Sequence, residues 1–188
     1  MKKTLLTAAL LTVFGIAAVV PQARAAGGTS ASGTITFTGS LTASTCVVSV
    51  NSGASTNTVT LPTTALVNGT LNASGTSTGW TAFTLALSGC TTVTGFTKVL
   101  PYFSGTGIDT TTGYLSNTGT ASNVEVALSN TNALTGALTL QGASGAQNVA
   151  AQAYAGNPTF NLYAGYVATG AAVAGSVSST VQYTLNYQ

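Results

Sequence analysis

Very few side chains on this sequence could do chemistry. There is no histidine, and the acidic residues are Asp109 and Glu125, 16 positions apart. A carboxylate pair held ~5–9 Å apart could serve glycoside hydrolysis, but nothing around these two asks for it. Asp109 lies in a turn rich in glycine and threonine, and both carboxylates read as ordinary surface charges. Serine and threonine are abundant, yet no base is present to activate one as a nucleophile. No GxSxG elbow or phosphate-cradling glycine loop occurs. Cys46 and Cys90 lack CxxC spacing, a histidine partner and a basic neighbour that would lower a thiol pKa, which argues against metal or redox work. The expectation is a protein that is not an enzyme and has no catalytic residue, cofactor or metal.

The remaining charge pattern points to export. Lys2 and Lys3 precede an apolar run over 5–20, Pro21 ends it, and Ala23-Arg24-Ala25 forms a small-x-small site. That is a secretory signal, with cleavage expected between Ala25 and Ala26. The run falls short of the ~20 residues a membrane span needs. Removing 25 of 188 residues leaves 163, a size for one domain. The mature part keeps Lys98, Asp109 and Glu125, a formal charge of −1. One lysine cannot neutralise a phosphate backbone, so nucleic acid is excluded as a partner. Three charges are also far below the ~25% usual for a globular domain. Such a surface resists self-association poorly, and it reads as one meant to be covered by identical neighbours. In an exported chain the two cysteines are expected to pair. The disulfide would close a loop of about 45 residues, worth roughly 4 kcal/mol.

The elements that would carry these residues are strands. After Val20 no apolar stripe of helical period is sustained, while Thr, Val, Tyr, Phe and Leu recur in short runs broken by Gly, Asn and Ser. Strands are expected at 34–41, 46–50, 58–61, 81–88, 98–104, 124–129, 138–140, 159–167 and 177–187. Turns fall at 68–69, 106–107, 117–119 and 156–158. No fixed repeat supports a solenoid or propeller. Two packed antiparallel sheets are the economical architecture. The expected core is Trp80, Phe83, Leu85, Leu87, Tyr102, Val124, Val126, Leu128, Phe160, Leu162 and Tyr166, each contributing ~1.5–3 kcal/mol when fully buried.

The two ends of the mature sequence differ from the middle. Gly175 opens a final segment in which Val177, Val181, Tyr183, Leu185 and Tyr187 alternate with polar residues. Near the start, Ala31, Gly33, Ile35, Phe37 and Gly39 share one face, and Ser32, Thr34, Thr36, Thr38 and Ser40 share the other. That apolar face follows the small, flexible leader Ala26-Gly27-Gly28-Thr29-Ser30 and precedes the first cysteine.

Together these features resemble the chaperone–usher fimbrial pilins, specifically the type 1-like major structural subunits. The resemblance spans 26–188. It rests on the leader Gly33-Thr34-Ile35-Thr36-Phe37-Thr38-Gly39, on Cys46 with Leu87-Ser88-Gly89-Cys90, and on Asn123-Val124-Glu125-Val126-Ala127-Leu128. It rests also on Tyr163-Ala164-Gly165-Tyr166-Val167-Ala168-Thr169-Gly170-Ala171-Ala172 and the final strand with its penultimate Tyr187. The family implies an all-β, incomplete immunoglobulin-like sandwich completed by a donor strand from a neighbouring subunit. It implies a signal peptide over 1–25, a donor-strand extension over 26–40 and a pilin domain over 41–188. By resemblance Ala31, Gly33, Ile35 and Phe37 are the donor residues, with Gly33 at a narrow pocket. Gly175, Val177, Val181, Tyr183, Leu185 and Tyr187 belong to the acceptor groove and chaperone-binding strand. The implied partners are identical or related pilins in a head-to-tail polymer, a periplasmic chaperone, an outer-membrane usher and, as a further candidate, a tip adhesin. The implied destination is a surface fimbrium reached through the periplasm.

The competing expectation is a self-complete secreted β-sandwich that binds a carbohydrate or a host protein. It would need its own N-terminal strand to finish its sheet, so deleting 26–40 should destabilise it outright. A pilin should still fold with its chaperone but fail to donate.

Overall fold

The computed structural model describes residues 46–67, 69–90 and 95–188. All lie within the unit Leu41–Gln188. The expected strand at 34–41 is outside the described residues. Among those described there are seven strands: β1 Val47–Val50, β2 Ser77–Ser88, β3 Lys98–Ser104, β4 Ser122–Ser129, β5 Gln152–Ala153, β6 Thr159–Val173 and β7 Gln182–Tyr187. Two short 3-10 turns, Leu134–Gly136 and Tyr154–Gly156, are the helical content among the described residues.

The strands form a four-stranded sheet, β1-β2-β6-β4, and a three-stranded sheet, β5-β3-β7, all paired antiparallel. Alternate residues of both sheets meet in one core: Phe83, Leu85 and Leu87 from β2, Val99 and Phe103 from β3, Val126 and Leu128 from β4, Phe160 and Leu162 from β6. A smaller cluster of Leu71, Val124 and Ala168 closes one end. Cys46 and Cys90 form the expected disulfide, tying the start of β1 to the end of β2.

Several expectations are corrected. Residues 58–61 are extended but form no strand ladder, although their side chains alternate as a strand's do, with Val59 and Leu61 packed on the core. Period-2 alternation reports which face is buried. It does not report whether the backbone has a partner. Residues 138–140 form no strand: the bridge from Ser129 to Ala137 precedes them, Leu138 N–H donates to Leu128 O at 2.8 Å, and the chain then turns through the Gly142 N–H to Thr139 O bond of 2.8 Å. The final segment is a regular strand only from Gln182. Its first half is held instead by the 117–121 loop. Thr118 N–H donates to Ser178 O at 2.8 Å, and Ser178 N–H donates to Asn117 Oδ1 at 2.9 Å. Gly119 and Gly175 allow this approach, because a Cβ on either would collide with the backbone of Ser176 or Ala121. Strands β2 and β6 run longer than expected, to 12 and 15 residues.

Two aromatic residues assigned to the core lie elsewhere. Tyr102 is half-buried on the face of β3 opposite Phe103, and Phe103 holds the core position at 2% exposure. Trp80 is half-buried against Gly165, where an added Cβ would lie 2.5 Å from its ring. Gly165 follows the core residue Ala164, so this contact is on the outer face of the sheet.

Candidate assembly groove

Between residues 55–61 and 177–184 runs a groove of about 1020 Å³. Its floor is the core itself: Val50, Phe83, Leu85, Phe103, Leu115, Val126 and Leu128 reach it. One wall is the ladderless segment 55–61; the other is the final segment with the start of β7. Tyr183 joins the walls, its hydroxyl donating to Ser55 O at 2.7 Å. Tyr166 ties the floor to the following loop, its hydroxyl donating to Pro62 O at 3.1 Å. Partial burial pushes both phenols above their usual pKa.

The backbone of β7 is directed by its register. Lys98 and Gln188 exchange two bonds of 2.9 Å, which sets the parity of the β3–β7 ladder. The even residues of β7 therefore bond to β3. Tyr183 and Leu185 turn their N–H and C=O groups to the other edge. Among the described residues β7 is the last strand of its sheet on that side. An edge of main-chain donors and acceptors beside an apolar trough can pair with an added extended segment.

The structure brings most of the sequence-selected C-terminal residues to this place. Val177, Val181 and Tyr183 line the groove. Leu185 and Tyr187, further along β7, pack half-buried against the same core. Gly175 does not line it and serves the contact with the 120–121 backbone. Ala25, Ala26, Ala31, Gly33, Ile35 and Phe37 lie outside the described residues. Sequence reasoning missed the 55–61 wall as a wall, although the alternation of Val59 and Leu61 was visible. It also missed Leu115, a lone apolar residue in a loop, which reaches the core by bridging to Val126.

The two carboxylates do meet, but as structural anchors. Asp109 Oδ1 accepts from Thr111 N–H at 2.6 Å and Thr112 N–H at 3.2 Å. These bonds hold its carboxyl below the usual pKa. Thr112 then donates its hydroxyl to Glu125 Oε2 at 2.7 Å. Glu125 is 8% exposed, a correction to its reading as a surface charge. Residue 125 lies between two core residues of β4, Val124 and Val126, and the 109–112 turn covers it.

The Fimbrial protein family model matches residues 35–188. The chain is 40% identical over 161 residues to the F17 fimbrial protein of Escherichia coli, covering 83% of this chain and 87% of that one. In fold it is similar to the crystal structure of the P pilus rod subunit PapA, with a TM-score of 0.55 at 17% identity. That likeness covers 82% of this chain and 100% of the other. The sandwich is therefore of the pilin type, immunoglobulin-like and all-β.

Proposed function

The chain belongs to the fimbrial protein family as a structural subunit of a surface fimbria, and on that premise we propose that it polymerises by donor-strand exchange through the groove beside β7. The observation that carries this reading is the groove itself, with core side chains as its floor and an edge strand in its wall. A neighbour's segment 31–37 would enter it. Seven extended residues span about 23 Å. Ala31, Gly33, Ile35 and Phe37 would face the floor, and the alternate backbone groups would bond to the outer edge of β7.

Each subunit would then donate one strand and accept another. A heterologous contact of that kind gives an open head-to-tail polymer. In this reading residues 1–25 direct export, 26–40 are the donor extension and 41–188 the acceptor domain. Before assembly the exposed groove would be an aggregation hazard. A periplasmic chaperone would cover it along the C-terminal strand, and an outer-membrane usher would exchange the chaperone for the next subunit. A tip adhesin, lacking a donor extension, would accept the strand at the end of the fibre. Family members are structural proteins, and no catalytic role is assigned.

The test is mutational. Gly33→Leu should overfill a narrow pocket and abolish fibres seen by electron microscopy, while Thr34→Ser leaves them intact. Normal fibres from the Gly33 variant would refute this donor register.

A further inference from the structure

The three-stranded sheet has a second edge. The parity set by Lys98 and Gln188 turns Val99, Pro101 and Phe103 toward the side of β3 away from β7. Each of these three is covered differently. Val99 pairs with Gln152 of the two-residue strand β5. Pro101 has no N–H to offer. Phe103 is met by a side chain: its N–H donates to Gln147 Oε1 at 2.8 Å, and its carbonyl accepts from Gln147 Nε2 at 2.7 Å. The same Nε2 donates to Leu140 O at 2.9 Å. Gln147 is 2% exposed. Its amide thus makes with Phe103 both bonds that a neighbouring strand would make.

Strand addition draws its affinity from main-chain hydrogen bonds, which carry no sequence information. A subunit that presents one receptive edge therefore needs its other edge closed, or a donor segment could pair there as well. We propose that Gln147, together with Pro101, is the specificity determinant that closes the outer edge of β3 and confines strand addition to β7. This inference rests on donor-strand exchange at β7. A purely structural role would be different: a buried amide satisfied by nearby carbonyls, whose loss weakens the fold without creating a new acceptor.

The experiment uses assembled fibres, in which the β7 groove is already filled. A fluorescent synthetic peptide of residues 29–40 is added in excess, and bound peptide per subunit is counted after washing. Wild-type fibres should bind far less than one per subunit, at fibre ends only. Gln147→Met, and Gln147→Met with Pro101→Ala, should raise this at least tenfold, with label along the fibre length. Variant fibres that form normally and bind no more than wild type would overturn the inference while leaving donor-strand exchange intact. If no heat-sensitive ladder forms even from wild type, the exchange reading fails and this inference with it. Amide hydrogen exchange on wild-type fibres gives a measure independent of whether the variants fold. The Phe103 amide should be protected within roughly tenfold of Leu100, which bonds to β7. Exchange at the rate of an open edge would refute the closure.

Discussion

The two sheets of this molecule are unequally finished. In the four-stranded sheet, core positions such as Leu85 and Leu162 are 1% and 2% exposed, and β2 and β6 are each flanked by strands on both sides. In the three-stranded sheet β7 carries the same alternation of apolar residues, yet none of its six residues is buried. Pattern alone does not separate these strands; the presence of neighbours does. The four-stranded sheet is buried on its core face without outside help, and under the proposed strand exchange β7 with its groove would be the part left for another chain.

Substitutions on the two sides should therefore fail differently. The largest effect is expected on the finished side. Phe160→Ala should cost ~3–5 kcal/mol of subunit stability, read as a lower denaturation midpoint of the chaperone-free subunit. Next is the disulfide, whose cysteines are 44 positions apart. Replacing both with serine should cost roughly 4 kcal/mol, read as a lower denaturation midpoint, and reduced wild type should fall to the same midpoint. Gly165→Ala should cost ~1–3 kcal/mol by forcing Trp80 off its seat, with a shift in tryptophan fluorescence. On the unfinished side, Leu185→Ala should lower subunit stability less than Phe160→Ala does, yet lower the temperature at which fibres come apart. Equal effects of the two alanine variants on the isolated subunit would break the comparison.

The smallest effect is a pH dependence. The Asp109 carboxyl is held below its usual pKa by the Thr111 and Thr112 N–H groups. A depressed carboxyl contributes stability that is present above its unfolded value and is lost as pH falls through the folded one. Wild type should lose this contribution below about pH 4, and Asp109→Asn should remove that part of the acid dependence. An identical acid limb in both proteins would show that the turn is held by other contacts.

The all-β class was legible because β-branched and aromatic runs alternate at period 2 between glycine and asparagine turns. Alternation in the final segment showed which residues face the core, with Ser179 as an interruption, but a groove beside them was implied only by the family resemblance. Three things were not legible. In the run Lys98-Val-Leu-Pro-Tyr-Phe-Ser every central residue is apolar or aromatic, so parity could not separate Tyr102 from Phe103. The 58–61 segment showed its buried face but not its missing ladder, since hydrogen-bond partners are decided by distant chain. Gln147 gave no local signal, because its partner Phe103 lies 44 positions away.

The central claim is that the groove beside β7 is filled by a neighbour's strand without covalent linkage. The most direct measurement is electrophoresis in detergent of fimbriae sheared from cells expressing this chain with its export partners, before and after boiling. Strand exchange predicts a ladder of multimers in the unboiled sample and one band near the mature mass after boiling. Monomer in both samples, from cells that display fimbriae containing this subunit, would contradict it.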